Sequence, residues 1–276
     1  MKEEVEGIIL KETPYSETSK VLQILTKKYG LVSAIAKGAS SIKSNLRSLT
    51  IPFLYAKFEL IYKEGKLSIL TGGNIIKLYG EGKSDLKLYA YMSYLCDLSY
   101  NVLKENNDRE IFDILKSSLD KLSEKLDYEV IKNIVEFKYL NYLGIEPNFN
   151  ICHKCHMVKD FYAIDGKIGG FVCSDCFKNE RLITPNLLKK MKRFQEVNIS
   201  EITEIKLTDE EKKLISEFLR EYYETFSAVY LNSIKFLDMF KSWFIHINVL
   251  IFRHTSDDGT WKSSSYIIKR DSSKNK

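Results

Sequence analysis

Histidine is scarce in this 276-residue sequence, which contains only four. His153 and His156 stand beside cysteines, and His246 and His254 lie towards the C-terminal end. These four histidines do not form a pattern typical of histidine-based catalysis. The motifs GxxxxGK(S/T) and GxGxxG are also absent, so no loop that cradles ATP or a dinucleotide is indicated. We expect a binding protein, not an enzyme. A metal-dependent nuclease built from the acidic helical residues remains the catalytic alternative.

Long apolar runs are missing as well. No segment reaches the roughly 18 apolar residues that cross a bilayer, and the acidic start MKEEVEGIIL does not resemble a secretory signal. A composition of 44% hydrophobic and 29% charged residues is typical of globular proteins. We therefore expect a cytoplasmic protein of two or three domains with no membrane partner, associated with the nucleoid if it binds DNA.

Positive charge is unevenly distributed. The net charge is +5, and residues 1–80 alone carry 12 basic and 7 acidic side chains. Residues 81–150 carry 9 basic and 13 acidic side chains, and residues 151–240 carry 14 of each. A basic first domain beside a neutral-to-acidic middle points weakly to an anionic partner at the N-terminal end.

The first 80 residues predict β-structure. Short stretches rich in β-branched and aromatic residues are separated by turn signals at Lys27–Gly30 and Glu64–Gly65. Five such strands favour a small OB-fold barrel, a fold that commonly binds oligonucleotides. A long serine-rich loop, residues 38–51, would follow the third strand.

Helical periodicity replaces this pattern after Gly82. Apolar residues recur every three or four positions over 111–126 and 128–142, and Gly144 and Pro147 follow as stop signals. Thr184-Pro185 predicts another helix start, and Thr208 with Glu211 predicts a capping box. The sequence therefore predicts an α+β protein. Its parts are an OB-fold domain at 1–80, a helical domain at 81–150 and 181–240, and an inserted cysteine module at 151–180.

Two CxxC pairs form that module: Cys152 with Cys155, and Cys173 with Cys176, separated by seventeen residues. Four thiolates on two tight turns are typical of a structural Zn²⁺ site, which leaves no open position for a reacting water. We expect one zinc ion per chain and a ribbon-like hairpin turning at Asp165-Gly166. Replacement of one cysteine ligand by His153 or His156 is the alternative. The lone Cys96 is expected in the core.

Basic and aromatic residues are interleaved in the first domain. Cations would neutralise phosphates, and tyrosine rings would stack on bases. Ordinary surface lysines and core aromatics are the competing interpretation. The candidate nucleic-acid-binding residues are Lys20, Lys37, Lys43, Arg47, Tyr15 and Tyr55. A second basic run contains Lys189, Lys190 and Arg193, and it is either a solvated helix face or a dock for an acidic peptide or DNA.

Taken together, these segments resemble the RecO family of bacterial recombination mediators. Particular motifs are LGIEP before the first cysteine pair and GGFVC at the second. The resembling segments are residues 15–32, 36–44, 52–53, 143–147, 169–173 and 231–237.

The resemblance implies an OB-fold and a zinc-bearing helical domain that bind single- and double-stranded DNA and anneal complementary strands. It also implies partnership with RecR, contact with the C-terminal tail of the single-strand-binding protein, and help in loading RecA. An RNA-binding or transcription-associated module is the alternative, since OB-folds and zinc ribbons occur there too.

Two departures from the family pattern stand out. Ser40 and Ser41 occupy positions where the family's loop often carries consecutive basic residues, which would weaken phosphate contacts. Residues 241–276 match nothing in the family and form a C-terminal extension. Within it, residues 243–252 are strand-like in pattern, and residues 263–276 are polar enough to predict disorder.

Overall fold

The computed structural model describes residues 2–80, 85–229, 231 and 233–239. The C-terminal extension, with its strand-like and polar segments, lies outside these residues. In the part of the chain that is described, no helix is long and apolar enough to cross a membrane.

Residues 2–80 form a closed five-stranded barrel in the order β1-β2-β3-β5-β4, with β4 pairing back to β1. The β3–β5 pair is parallel and the other pairs are antiparallel. This arrangement confirms the predicted five-stranded domain, and its strand number and order are those of an OB-fold barrel. The strands are β1 Lys2–Pro14, β2 Lys20–Thr26, β3 Gly30–Ala36, β4 Leu54–Ile61 and β5 Ser68–Leu78.

The last strand is longer than its sequence pattern indicated, since the apolar alternation stops near Leu70 and two glycines follow. These glycines continue the strand instead of ending it. A Cβ atom on Gly73 would lie 2.5 Å from the carbonyl oxygen of Lys57 on β4. Glycine therefore permits the close approach of the two strands there.

Alternate side chains fill the barrel, among them Val5, Ile9, Leu22 and Phe58. Each end is closed differently. Ala39 and Leu49 from the β3–β4 connection join the core at one end. At the other end, the rings of Tyr29 and Tyr62 stack with their centres 4.0 Å apart and pack on the same core.

The outer wall of the barrel is also buried along β1 to β3. Ile8, Leu10, Leu25 and Ile35 alternate with the core-facing residues, yet each is at most 9% exposed. Helix α1, Leu86–Glu105, packs against β1 and β3. Residues 1–237 accordingly form one compact unit. The covered wall explains why residues 7–10 read as a continuous apolar run rather than a clean alternation.

After α1 come α2 Ile111–Ser123, α3 Tyr128–Tyr142, α4 Pro185–Glu196 and α5 Asp209–Phe226. The cysteine module, inserted between α3 and α4, contains β6 Phe161–Asp165, β7 Gly170–Cys173 and β8 Arg181–Leu182 in the order β7-β6-β8. The N-caps follow the predictions. The hydroxyl of Thr184 accepts from the Leu187 amide, and Thr208 and Glu211 form a complete capping box.

A buried polar network joins α1, α3 and α5. The ammonium group of Lys132 lies 2.9 Å from a carboxylate oxygen of Glu136, which also accepts from the Tyr94 hydroxyl. From α5, Ser216 donates to Glu129 and Asn133. Burial tends to lower the pKa of Lys132, but Glu136 and Glu129 raise it above the ordinary value. The lysine therefore stays charged and paired, and its partners fix the packing of the three helices.

Candidate metal centre and nucleic-acid surface

The cysteine pairs are brought together by the short hairpin of the inserted module. Cys152 and Cys155 lie on the turn after α3, Cys173 ends β7, and Cys176 ends a 3₁₀ helix that begins at Ser174. Antiparallel pairing places Phe161 opposite Cys173. The backbone amide of His153 donates to the carbonyl oxygen of Phe171, which anchors the first cysteine turn to β7.

The four sulfur atoms form a compact cluster in which all lie within 4.8 Å of one another. The sulfur atoms of Cys155 and Cys173 are 3.9 Å apart. A tetrahedral ion with metal–sulfur bonds of about 2.3 Å separates its ligands by about 3.8 Å. The cluster therefore has the dimensions of a four-thiolate metal site and could hold a metal ion.

Local polarity favours the thiolate form at one of these ligands. Burial tends to raise the pKa of Cys152, but backbone amides of Cys155, Cys173 and Lys154 lower it to about 6. For Cys176, burial and hydrogen bonds with the other thiols raise the pKa to about 12. Four thiolates this close together would repel one another strongly, so all four are not deprotonated at once without a cation. A bound divalent cation would remove that conflict.

Neither neighbouring histidine belongs to the sulfur cluster. A ring nitrogen of His153 lies 2.9 Å from the carbonyl oxygen of Asn148, and the ring packs against Gly170, where a Cβ atom would lie 2.3 Å from it. The metal-binding group that the described residues form consists of the four cysteines. The histidine alternative raised by the sequence therefore finds no support in the geometry.

The hairpin between the cysteine pairs is confirmed, but the predicted two-residue turn is wrong. Asp165 pairs with Gly170, so residues 166–169 form a four-residue connection. The Asp165 carboxylate accepts from the amides of Lys167 and Ile168, and Gly169 has φ +95°. An Asp side chain that holds its own turn, followed by a left-handed glycine, outweighs the Asp-Gly signal.

Helix α5 holds the module from outside the cysteine cluster. Both terminal guanidinium nitrogens of Arg181 on β8 pair with the Glu221 carboxylate, one of them at 3.1 Å. A Cβ atom on Gly166 would lie 2.3 Å from the backbone oxygen of Phe218, so only glycine fits against this helix. The cysteine cluster therefore organises a turn that is packed directly on the helical core.

On the barrel, two loops meet at the end where β1 and β3 finish. Residues 15–19 join β1 to β2, and residues 37–53 join β3 to β4. The amide of Ser40 donates to the carbonyl oxygen of Thr18 at 2.8 Å, which ties the two loops together. We call this surface the loop end.

An open groove at the loop end contains Lys20 and Arg47, two of the predicted nucleic-acid-binding residues. Ser44 and Ser48 line the same groove, whereas Thr50 is buried and its hydroxyl donates to the carbonyl oxygen of Arg47 at 3.0 Å. The two serines were not singled out from the sequence, because a serine count does not show which residues line one concavity. The ammonium group of Lys20 pairs with the Glu12 carboxylate. Arg47 is exposed to solvent.

Other predicted residues stand around the groove. Lys37 and Lys43 are exposed on the β3–β4 loop, and Tyr15 is 66% exposed on the β1–β2 loop. Among the described residues, no carboxylate lies within ion-pair distance of Lys37, Lys43 or Arg47. The structure thus gathers five of the six candidates at one end of the barrel.

The sixth candidate, Tyr55, is placed elsewhere, and the stacking role expected for it is corrected. Tyr55 is 8% exposed, and its ring packs near Phe112 of α2. Its hydroxyl donates to Glu6 at 2.8 Å, and the ammonium group of Lys116 lies 5.6 Å from the ring centre. The ring belongs to the contact between barrel and helices and offers no face to a base.

The basic run on α4 is divided by its contacts. Lys189 and Arg193 are exposed and four residues apart, so they share one helix face. Lys190 points to α5 instead, where it lies 3.1 Å from Glu211, the capping-box carboxylate, and also donates to the carbonyl oxygen of Lys206. A partner that engaged Lys190 would have to break these contacts, so Lys190 is a structural residue here.

A five-stranded barrel packed on a helical region, with a four-cysteine cluster that could hold a metal ion, defines an α+β protein. Comparison with known families is more specific. Residues 1–79 match the N-terminal domain of Recombination protein O, and residues 83–233 match its C-terminal domain. The chain therefore belongs to the RecO family.

The matches to individual relatives cover nearly the whole length of those proteins. The DNA repair protein RecO of Bacillus subtilis is 31% identical over 241 residues, which are 86% of this chain and 94% of that protein. The protein of the same name from Halalkalibacterium halodurans is 30% identical over 251 residues, which are 89% of this chain and 98% of that protein.

We predict that protein purified without chelator contains one metal ion per chain and that Cys173→Ser loses it. The lost crosslink should cost about 3 kcal/mol and lower the unfolding temperature by roughly 6–12 °C. Elemental analysis and thermal unfolding measure both effects. Cys96→Ala is the matched control, because it removes a buried thiol outside the cluster and should keep the metal. Wild-type protein that contains no metal when purified in this way, and that unfolds at the same temperature as Cys173→Ser, would contradict the site.

Proposed function

We propose that this protein is a recombination mediator in DNA repair that binds single- and double-stranded DNA and anneals complementary strands. The observation that carries the proposal is the loop end, an open groove with cations around it that have no ion-pair partner among the described residues, in a chain of the RecO family. With RecR, the protein would help to load RecA onto DNA coated by the single-strand-binding protein. The family relationship supports these partners.

The loop end is favoured as the main DNA contact because the apolar part of the barrel's wall along β1 to β3 is covered. An OB-fold often binds oligonucleotides across its second and third strands. Here the outward-facing Leu25 and Ile35 are buried, and α1 packs against β3. Exposed cations on mobile side chains at the loop end can reach phosphates without disturbing that packing.

Electrostatics decide how such a surface would bind. Lys37, Lys43 and Arg47 have no ion-pair partner among the described residues, so phosphate contacts displace no internal salt bridge. Each neutralised phosphate releases counterions, which gives affinity but no sequence preference. Lys20 contributes less, because it would have to leave Glu12. Tyr15 is the exposed ring that could stack on a base.

We further propose that the ion in the cysteine cluster is Zn²⁺ in a structural role. An all-thiolate tetrahedral set suits zinc, and four ligands leave no position for a reacting water. Cys152, Cys155, Cys173 and Cys176 would hold it. The zinc would keep the module folded against α5, so its effect on DNA binding would be indirect.

We predict that affinity for DNA falls linearly with salt on logarithmic axes and that Arg47→Ala and Lys43→Ala each flatten the slope by about 1 unit. The reason is the loss of one phosphate contact, which should act alike on all sequences. Fluorescence anisotropy with a labelled oligonucleotide measures the slope. Lys66→Ala, a basic residue of the β4–β5 turn at the opposite end of the barrel, is the control and should retain the wild-type slope. Equal slopes for all four proteins would place the DNA elsewhere.

The exposed cations of α4 support a second contact, to the acidic C-terminal tail of the single-strand-binding protein. Lys189 and Arg193 share one face, whereas Lys190, included in the sequence-based candidate, is held by Glu211. We predict that Lys189→Ala combined with Arg193→Ala weakens binding of an acidic tail peptide by about tenfold, equivalent to about 1.4 kcal/mol. Lys213→Ala, on the exposed face of α5, is the control. Titration calorimetry measures both, and an unchanged affinity in the double variant would remove α4 from the contact.

A further inference from the structure

A second group of cations lies at the seam between the barrel and the first helix. The ring of Tyr100, near the end of α1, has two ammonium groups close to it. That of Lys11 on β1 lies 5.8 Å from the ring centre, and that of Lys104 on α1 lies 5.7 Å from it. Both lysines are exposed and Tyr100 is half-buried. Two separate elements thus supply one ring and two cations to the same patch.

The charge of this patch is not compensated. Among the residues that the structure describes, no carboxylate pairs with Lys11 or Lys104. By contrast, Lys20 at the start of β2 pairs with Glu12, and Lys28 in the β2–β3 turn pairs with Glu3. Two like charges beside one ring repel each other. A phosphate between them would turn that repulsion into attraction, so the patch is suited to an anion.

Strand register connects the patch to the loop end. On β1, Pro14 is paired with Lys20 of the groove, and Lys11 is paired with Gln23. Three residues along a strand cover about 10 Å. Gln23 accepts from the Ser33 hydroxyl at 2.8 Å, and the acidic residue on this stretch of β1, Glu12, is paired with Lys20. Among the described residues, a strand leaving the groove therefore meets no unpaired carboxylate of β1, β2 or β3 before it reaches Tyr100.

We propose that Tyr100, Lys11 and Lys104 form a second contact for single-stranded DNA, in which the ring stacks on a base and the ammonium groups bind the flanking phosphates. The inference rests on the proposed DNA-binding function. A base that stacks on the ring displaces the lysines from it, and this exchange is favourable because base stacking is stronger than an exposed cation–ring contact. Only unpaired bases can stack in this way, so the contact distinguishes single strands from duplex.

The test measures affinity for single strands of increasing length and for a duplex, in the full chain. Tyr100→Leu should weaken binding of a long single strand by about five- to tenfold and change duplex affinity less than about twofold. Short oligonucleotides that fit the loop end alone should bind as in the wild type. Tyr100→Phe keeps the ring and should restore single-strand affinity. The double variant Lys11→Gln with Lys104→Gln should bind long single strands more weakly, and its affinity should depend less steeply on salt.

Lys87→Gln is the matched control, because this lysine also lies over a tyrosine ring, that of Tyr128, at 5.6 Å, and stands at the other end of α1. Its affinities should equal those of the wild type. If Tyr100→Leu binds long single strands as tightly as the wild type while Arg47→Ala binds them more weakly, the proposed contact at Tyr100 is overturned and the loop end remains the DNA contact. No DNA binding by the unaltered chain would overturn both. Equal losses on duplex and single strand would contradict the stacking role.

Discussion

Several outward-facing side chains of the barrel's first three strands are apolar and buried where the first helix packs on β1 and β3, and the rest of the molecule depends on this burial. Ile8, Leu25 and Ile35 face away from the barrel core, yet they are at most 9% exposed. Their burial fixes the helical region on the barrel, since each fully buried aliphatic side chain contributes about 1.5–3 kcal/mol. The same packing removes this part of the barrel wall from any ligand and leaves the loop end and the seam beside α1 available.

Sequence reasoning succeeded wherever one local pattern determined the outcome. The five strands, helix α3 at Tyr128–Tyr142, the capping box of α5 and the cysteine cluster follow from periodicity, cap chemistry or ligand spacing. The predicted cations of the β3–β4 loop are exposed, as expected for a loop between strands, and their role in binding stays a prediction. These are the features in which local preference and tertiary structure agree.

Sequence reasoning failed where a partner distant in the chain decides a residue's surroundings. Tyr55 is interleaved with lysines along the barrel, and nothing local shows that Phe112 will cover its ring. Lys190 stands in a basic run, but Glu211 lies twenty-one residues further on. Tyr100 and Lys11 belong to different predicted domains, so their contact could not be anticipated. The hairpin turn was misjudged for another reason, since the Asp165 side chain competes with the usual Asp-Gly geometry.

These features support the proposed role of a mediator in which binding energy alone would rearrange DNA. Phosphate contacts screen the repulsion between two backbones and leave the bases free to pair, and the chain contains neither glycine-rich nucleotide motif. The most direct test is the annealing rate of two complementary single strands, measured by fluorescence quenching, with and without ATP. We expect the wild type to accelerate annealing equally in both conditions and Lys43→Ala with Arg47→Ala to slow it. A strict requirement for ATP, or an unchanged rate in the double variant, would contradict the account.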